Sequence, residues 1–338
     1  MKIVVTGGTG FIGSHTVVEL QEAGYEVVIV DNLVNSTIES LDGIEKITGI
    51  RPAFEKLDLT DKERTFDFFK SYQGIEAIIH FAALKAVGES VFKPLEYYSN
   101  NLNSLMNVLA AMKEFKVDSL VFSSSCTVYG QADTLPVTEK TPRKKAESPY
   151  GNTKAICEDI LADYSRAEQQ LKLIALRYFN PIGAHPTAHI GELPNGVPNN
   201  LIPYLTQTVA GIRSQLSVYG NDYNTPDGTA IRDYIDVVDL AKAHVVAIRR
   251  LIENKNKQNL EIFNIGTGGG VSVLQLVNTF EKATGKKVNH QIVGRRAGDI
   301  EKVWADTTLA NKELGWKAEV SLEETLRNAW RWQEKLQK

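Results

Sequence analysis

A tyrosine and a lysine stand four positions apart, at Tyr150 and Lys154. The preceding Ser148 and Pro149 are typical of a helix start, with the serine as N-cap, so we expect both side chains on one helix face. A free tyrosine has a pKa of about 10, and an ammonium about 4–6 Å away favours its anion by roughly 3–4 kcal/mol, or about two to three pKa units. The same spacing occurs on many solvated helices without a catalytic role. With a substrate beside it, the pair predicts a phenol that takes a proton from an alcohol.

Three serines, Ser123, Ser124 and Ser125, follow an apolar segment that predicts a strand. Ligands of open α/β sheets bind beyond the carboxyl ends of the strands. A hydroxyl at that edge can accept from and donate to a substrate alcohol whose proton Tyr150 removes. Capping of the strand end and turn formation are the alternative, and they are expected to account for one or two of the three.

A glycine-rich turn, Thr6-Gly7-Gly8-Thr9-Gly10-Phe11-Ile12-Gly13, joins the first predicted strand to the first predicted helix. Glycines allow a tight turn and let the backbone approach a pyrophosphate, which the helix N-terminus attracts. Asp31, at the end of the next strand, can accept both hydroxyls of an adenosine ribose and would repel a 2′-phosphate. The pattern predicts a dinucleotide site that favours NAD over NADP; the alternative for Asp31 is a helix cap.

The elements that position these residues alternate between strand and helix. Short apolar segments predict strands at 3–6, 27–30, 77–80, 120–123 and 173–176, and a helix is predicted from Phe11 to about Ala23, ending at Gly24. Strands that are apolar on both faces indicate a parallel sheet covered by helices on both sides. We therefore expect an α/β fold: a Rossmann-type doubly wound parallel sheet with a smaller mixed α/β substrate domain.

The second half of the chain differs from the first in composition. Residues 181–203 are rich in proline, glycine and asparagine, which predicts a long functional loop. Residues 322–338 predict an amphipathic helix, and a strand near 262–266 is expected to return to the main sheet. The predicted domains are an NAD-binding domain over residues 1–180, with that returning strand, and a substrate-binding domain over residues 181–338.

Composition is ordinary for a globular protein, with 43% hydrophobic residues, 23% charged residues and a formal net charge of −3. This charge gives no reason to expect nucleic acid or a membrane as partner. The two cysteines, Cys126 and Cys157, have no metal-ligand spacing, so no metal site is expected and the thiols are expected to be reduced. The N-terminus lacks the pattern of a signal peptide, and no apolar segment approaches the length of a membrane span. We expect a cytoplasmic protein.

Longer stretches carry a family resemblance that covers the chain from Met1 to about Trp332. With the glycine turn, the strand-end serine and the Tyr-x-x-x-Lys pair in order, the chain resembles the extended short-chain dehydrogenase/reductases, and within them the UDP-galactose 4-epimerase family. The stretches specific to that family are Leu84–Ser90 (LKAVGES), Lys93–Tyr98 (KPLEYY), Arg177–Pro181 (RYFNP), Pro198–Leu201 (PNNL) and Arg232–Ile235 (RDYI).

The resemblance implies a role for many residues. Tyr150 is the base and acid, Ser125 orients the sugar 4-hydroxyl, and Lys154 binds the nicotinamide ribose and lowers the tyrosine pKa. The implied NAD contacts also include Gly7, Gly10, Phe11, Ile12, Gly13, Asp31, Asn32, Asn35, Ser36, Asp58, Leu59, Phe81, Ala82, Ala83, Leu84, Lys85, Asn100 and Phe179. The implied UDP-sugar contacts, besides Ser125 and Tyr150, are Lys85, Asn180, Asn200, Leu201, Val218, Tyr219, Arg232, Arg296, Asp299 and Val303.

The implied reaction is the interconversion of UDP-galactose and UDP-glucose, through transient oxidation at C4 by an NAD that stays bound. The 4-keto sugar swings about its diphosphate link and is reduced on the opposite face. Guanidinium groups such as Arg232 and Arg296 suit a diphosphate, although a surface ion pair is the alternative for either one. The family also implies a homodimer.

Two positions depart from the pattern of many relatives. Ala83 stands where many have glycine, and we expect it to be tolerated beside the cofactor. Val303 stands where relatives that accept only plain hexoses have a bulky tyrosine, and where relatives that accept N-acetylated sugars have a small residue. Val303 therefore favours a pocket that also admits UDP-N-acetylglucosamine and UDP-N-acetylgalactosamine; the alternative is that Val303 only packs and other residues close the pocket.

Three other functions remain open from the sequence. A nucleotide-sugar 4,6-dehydratase shares the fold, the cofactor and the tyrosine, but it needs a carboxylate just after the strand-end hydroxyl, where this chain has Cys126, Thr127 and Val128. A uronate epimerase or decarboxylase is a second rival, separated by its substrate. A non-catalytic NAD-sensing protein is the third, since fold alone does not fix function.

Overall fold

The computed structural model describes residues 1–296 and 299–338. Its strands are β1 (Lys2–Thr6), β2 (Glu26–Asp31), β3 (Ala53–Lys56), β4 (Ile75–His80), β5 (Ser119–Ser125), β6 (Lys172–Tyr178), β7 (Asn180–Ile182), β8 (Leu216–Tyr219), β9 (Ile231–Arg232), β10 (Tyr234–Asp236), β11 (Leu260–Ile265), β12 (Val271–Ser272), β13 (His290–Val293) and β14 (Lys302–Val303). Its helices are α1 (Phe11–Glu22), α2 (Ser40–Thr48), α3 (Lys62–Ser71), α4 (Val87–Phe92), α5 (Pro94–Glu114), α6 (Pro149–Ala167), α7 (Leu201–Val209), α8 (Val237–Ile252), α9 (Val273–Thr284), α10 (Thr308–Glu313) and α11 (Leu322–Leu336), with a 3₁₀ turn at Cys126–Tyr129.

Seven parallel strands form the main sheet in the order β11-β6-β5-β4-β1-β2-β3. The chain winds outward from β1 in one direction and from β4 in the other, so the connections diverge between these two strands. Such a switch point opens a crevice at the carboxyl edge of the sheet, which is where ligands bind in this architecture. The predicted Rossmann-type doubly wound sheet is confirmed.

Alternate residues of each strand enter different cores. Ile3 and Val5 of β1 pack with the residues of α1 and α8 on one face, while Val4 packs with those of α5 and α6 on the other. All three are fully buried, and each such side chain contributes about 1.5–3 kcal/mol by leaving water. The two helical layers therefore hold the sheet, and with it the carboxyl edge, in place.

The chain beyond residue 180 contributes to this layered unit and also forms a second core. Helix α8 covers one face of the main sheet, and β11 pairs with β6 at its edge. The second core joins α7, α9 and α11 with β8 around buried residues such as Leu205, Phe280 and Leu326. Three small sheets, β10-β7, β12-β9-β14 and β13-β8, lie between these elements and carry several of the residues expected to bind substrate.

The sequence predicts six of the seven strands of the main sheet within about two residues, but it misses β3 and the short strands of the three small sheets. Only its middle residues are half-buried, and the strand lies at the edge of the sheet, so it lacks the continuous apolar pattern of the inner strands. Within the described residues, no helix combines the length and the apolar character required to cross a membrane.

Candidate functional site

The glycine turn packs its backbone closely against neighbouring strands. Gly7 has a φ of +70°, and a Cβ there would lie 2.8 Å from the Ala82 nitrogen. A Cβ on Gly13 would lie 2.2 Å from the Gly7 carbonyl oxygen, so the start of α1 can sit on the turn only without a side chain. The resulting cradle leaves the first backbone N–H groups of α1 facing the switch point, beside Gly10, Phe11 and Ile12. The residues present thus fit a dinucleotide pyrophosphate.

Asp31 lies at the end of β2 and is 7% exposed. One carboxylate oxygen accepts from the Leu33 backbone N–H at 2.9 Å and the Ser36 hydroxyl at 3.0 Å, and the other accepts from the Thr9 N–H at 3.2 Å. The carboxylate therefore ties the glycine turn to the loop after β2 and has about one acceptor position left for a further donor. These contacts are not those of a helix cap.

The other residues expected to contact NAD lie in loops at the same edge. Asn35 donates to the Ala83 carbonyl at 3.3 Å, which joins the loop after β2 to the loop after β4, where Phe81, Ala82, Leu84 and Lys85 also lie. Asp58 lies beside Leu59 and accepts at 3.4 Å from Asn32 of the loop after β2. A residue that the sequence did not single out, Asn101, is buried beside Asn100. Its side chain bonds both backbone groups of Leu84 and the Thr153 hydroxyl, so it fixes this loop to α6.

The three catalytic candidates converge at the carboxyl end of β5. Ser148 caps α6 through the Gly151 N–H at 3.1 Å, and Pro149 is the first helical residue, as predicted. Tyr150 is half-buried, and Lys154 is 3% exposed on the same helix face, with its Nζ 6.0 Å from the tyrosine ring centroid. The Lys154 ammonium donates to the Ser123 carbonyl at 2.7 Å. Helix and strand are thus pinned together beside the phenol.

Each of the three serines has a different partner. Ser123 bonds to the Tyr178 hydroxyl, and Ser124 donates to Glu158 at 2.6 Å. Ser125 caps the following 3₁₀ turn by accepting from the Thr127 N–H at 3.2 Å, and its hydroxyl lies near enough to Tyr150 to lower the pKa of that phenol. Two of the hydroxyls are thus occupied by structural contacts, and Ser125 is the one that faces the phenol.

The prediction that Lys154 lowers the pKa of Tyr150 is wrong for the protein groups alone. Burial raises the pKa of Tyr150, the hydrogen bond with Ser125 opposes this in part, and Cys126 and Cys157 add to the increase. Burial also lowers the pKa of Lys154 to about 8. The cost of burying the phenolate therefore outweighs the favourable contribution of Ser125 to its pKa.

A buried ion pair that the sequence did not reveal lies behind these residues. Arg177 of β6 donates two hydrogen bonds to Glu158 of α6, from Nε to Oε1 at 2.8 Å and from Nη2 to Oε2 at 2.6 Å. Both side chains are only 3–4% exposed. Arg177 also donates to the Tyr129 hydroxyl at 3.0 Å. Glu158 follows Lys154 by one helical turn and therefore lies on the buried face of α6. A polar residue at such a position was the signal in the sequence that could have indicated a buried partner. The pair therefore fixes the position of α6 relative to the sheet.

Four of the residues expected to bind the UDP-sugar meet in one cluster. Asp299 accepts from Arg296 at 2.9 Å and lies 3.5 Å from the Arg232 guanidinium. The Arg296 guanidinium stands 5.6 Å from the centre of the Tyr219 ring. Val218, also expected there, is fully buried in β8, so only its backbone is available to a ligand. The cluster offers two guanidinium groups and an aromatic face, which suits a nucleoside diphosphate.

A second cluster joins the two halves of the chain through Glu192, which the sequence did not single out. Glu192 accepts from the Asn200 amide at 2.5 Å and lies 3.7 Å from the Lys85 ammonium. Asn200 is the N-cap of α7, and Leu201 is its first residue. The predicted loop 181–203 is thus shorter in the structure, where the segment between β7 and α7 brings Asn200 and Leu201 towards Lys85 of the dinucleotide-binding half.

Val303 lies in a third group of residues. It is 3% exposed in β14, stands opposite Arg232 of β9, and packs in one cluster with Phe179 and Tyr129. Asn180 follows Phe179 and stands opposite Tyr234 of β10. Val303, Phe179 and Asn180 therefore lie in the same part of the site as Arg232.

Known proteins share this arrangement along the whole chain. The family model described as GDP-mannose 4,6 dehydratase matches residues 4–329. The chain is 51% identical to the UDP-glucose 4-epimerase of Bacillus subtilis (strain 168) over 333 residues, which cover 98% of this chain and 97% of that protein. The chain belongs to the UDP-glucose 4-epimerase family.

Solved structures of this epimerase family superpose closely. The UDP-glucose 4-epimerase of Stenotrophomonas maltophila, with bound NAD and formylated UDP-arabinopyranose, has a TM-score of 0.96 and 46% identity, and the match covers 100% of this chain and 99% of that one. The enzyme of Bifidobacterium longum, in complex with NAD+ and UDP, has a TM-score of 0.94 and 45% identity, covering 99% and 98%. The family thus combines the fold found here with a dinucleotide and a UDP ligand.

Proposed function

We propose that this chain is a UDP-glucose 4-epimerase that interconverts UDP-galactose and UDP-glucose with bound NAD. The observation that carries the proposal is the convergence of Ser125, Tyr150 and Lys154 beyond β5, beside a glycine turn that only residues without a Cβ can form. When bound, NAD supplies the acceptor and donor of the C4 hydride. Membership of the epimerase family supports the same assignment.

The protein groups divide the remaining work. Tyr150 takes the O4 proton and later returns it, while Ser125 holds the hydroxyl in line. Lys154 contributes one positive charge near the phenolate. Because burial raises the pKa of Tyr150, a proton on this group is well held until substrate and cofactor are in place. This timing limits proton loss to water.

The UDP-sugar binds mainly through its nucleotide end. Arg232 and Arg296 hold the diphosphate, Asp299 orients both guanidinium groups, Tyr219 lies beside them, and Asn200 and Lys85 approach from the opposite loop. The sugar itself meets fewer polar groups, among them Asn180. A firmly held nucleotide and a loosely held hexose allow the sugar to turn about the diphosphate link between oxidation and reduction.

The test is to incubate purified protein with UDP-galactose, without added NAD, and to separate the product sugars. Formation of UDP-glucose supports the proposal. A 4-keto-6-deoxy product would indicate a dehydratase, and absence of any product from protein that contains NAD would indicate an NAD-sensing protein. A second test is Ser125→Ala, which removes the hydroxyl that holds the sugar 4-hydroxyl and should lower turnover. Ser124→Ala is its control and should affect turnover much less, because Ser124 contacts Glu158.

We also propose that the enzyme epimerises the N-acetylated UDP-hexoses. The support is the small side chain of Val303, which lies beside Phe179 and opposite Arg232 on the sugar side. Val303→Tyr is expected to remove turnover of UDP-N-acetylglucosamine and to retain most turnover of UDP-galactose. Absence of turnover of the acetylated sugar by the wild-type enzyme would refute this proposal and favour a packing role.

Finally, we propose a homodimer that forms through α4 and α5. Val91, Phe92, Leu95 and Met106 expose 55%, 86%, 81% and 43% of their surface on this side. Leu95 and Met106 share one face of α5, three turns apart, so they form an apolar stripe. Sedimentation velocity should show a dimer, and Leu95→Glu should give a monomer. Ile50→Glu, at a residue that is also 55% exposed but lies after α2, is the control and should stay dimeric.

A further inference from the structure

Asp233 follows Arg232 in the Arg-Asp-Tyr-Ile stretch. Its side chain is fully buried, and its carboxylate accepts four hydrogen bonds. One oxygen accepts from the Thr267 N–H at 2.8 Å and the Thr267 hydroxyl at 2.7 Å. The other accepts from the Gly268 N–H at 3.3 Å and the Ala305 N–H at 3.1 Å. The carboxylate therefore joins the loop after β11 to the chain after β14.

The backbone of Asp233 reaches a third segment. Its carbonyl accepts from the Asn180 N–H at 3.0 Å, at the start of β7. Its neighbour Arg232 stands opposite Val303, which lies two residues before Ala305. Asn180, Arg232 and Val303, the residues placed on the sugar side above, come from three separate parts of the chain. Asp233 is bonded or adjacent to each of these parts.

The packing around this carboxylate is tight. A Cβ on Gly266 would lie 2.5 Å from an Asp233 oxygen and 2.9 Å from the Ala305 Cβ. The glycine thus allows the loop after β11 to approach the carboxylate directly. Since a carboxylate with charge-assisted bonds to backbone N–H groups is a strong and directional anchor, small changes at this point displace β14 against β9.

We propose that Asp233 is a positioning residue, which sets the relative places of Asn180, Arg232 and Val303 and thereby the affinity for the UDP-sugar. This inference rests on the proposed function for the identity of the ligand. Asp233 touches neither substrate nor cofactor. It acts through the three residues that do, on the substrate side and away from the glycine turn.

The experiment compares Asp233→Asn with the wild-type enzyme. The amide has nearly the same shape, but whichever way it turns, its NH₂ group faces two N–H or O–H donors. A milder variant, Thr267→Val, keeps the carboxylate and removes the hydroxyl bond to it, together with the longer 3.3 Å contacts of that hydroxyl with Gly269. Thr325→Val is the matched control, because the Thr325 hydroxyl donates to the carboxylate of another buried aspartate, Asp236, at 2.8 Å. For each variant, one measures KM and kcat with UDP-galactose, Kd for UDP by calorimetry, bound NAD, and Tm.

Asp233→Asn is expected to raise both KM and the Kd for UDP by about tenfold, the equivalent of one lost charge-assisted hydrogen bond, with NAD content unchanged. Thr267→Val should raise both by about threefold, and it gives the answer if the asparagine variant does not fold. Thr325→Val should lower Tm and leave both constants unchanged. A lower Tm with KM and Kd at wild-type values in the Asp233 or Thr267 variants would overturn the inference. If the wild-type protein binds UDP without epimerising the sugar, the proposed function fails, and the UDP Kd values still test Asp233.

Discussion

Replacing Arg177 by methionine would leave the buried Glu158 carboxylate with two weaker partners. The Ser124 hydroxyl remains at 2.6 Å, and the Arg143 guanidinium remains at 3.5 Å on a side chain that is 32% exposed. Removing one member of a buried pair costs about 3–5 kcal/mol, because the other charge stays away from water without full compensation. At about 2–4 °C per kcal/mol, the value typical of a large domain, this loss corresponds to a decrease in Tm of roughly 6–20 °C.

A double-mutant cycle separates the pair from its surroundings. Glu158→Leu and Arg177→Met are made singly and together, and the free energy of unfolding is measured by urea titration at saturating NAD. The double variant buries no unmatched charge, so we expect it to be more stable than the sum of the single losses implies, by about 2–4 kcal/mol. Arg143→Met is the control for a partly exposed arginine on the same carboxylate and should cost less than about 1 kcal/mol.

The cycle also reports on catalysis, because Glu158 lies on the helix that carries Tyr150. The single variants should lower kcat with UDP-galactose, since α6 can shift against Ser125 once the pair is broken. Additivity of the two single losses within about 0.5 kcal/mol would refute the reasoning, as would an Arg143→Met loss as large as that of Arg177→Met.

Two further predictions concern the cofactor side. Because burial lowers the pKa of Lys154 to about 8, kcat should fall as pH rises through about 8. Lys154→Arg should move this fall to higher pH. A kcat that stays constant from pH 7 to 10 would contradict the prediction. The same group binds more protons in the unfolded chain between pH 8 and its ordinary value, so its contribution makes the free energy of unfolding rise with pH across that interval. Asp31→Ala removes the acceptor of three hydrogen bonds, so purified protein should retain at least about tenfold less NAD, measured by chromatography after denaturation; full NAD content would contradict the role of Asp31.

The local patterns in the sequence determine much of the main sheet. Buried strands such as β1 and β5 are continuous apolar segments, and the helix starts at Phe11 and Pro149 follow from a glycine turn and a serine cap. These signals depend on neighbours within a few residues. The pattern of β3 is set instead by its place at the sheet edge, which no local signal records.

The site was less accessible to sequence reasoning, because its electrostatics depend on distant contacts. The spacing of Tyr150 and Lys154 correctly predicts a shared helix face, but the degree of burial decides the direction of the tyrosine pKa. Glu158 lies on α6, and its partner Arg177 lies 19 positions away on strand β6. Asp233 was visible as part of a stretch, and only the fold shows that Thr267 and Ala305 converge on its carboxylate.

The central claim is that the Tyr150 phenol exchanges the proton of the sugar 4-hydroxyl. The most direct measurement is turnover of UDP-galactose by Tyr150→Phe, with bound NAD and UDP affinity determined on the same sample. We expect kcat to fall by at least about a hundredfold while the protein keeps its NAD and binds UDP as the wild type does. Turnover within tenfold of the wild-type rate would contradict the account, because another group would then have to carry the proton.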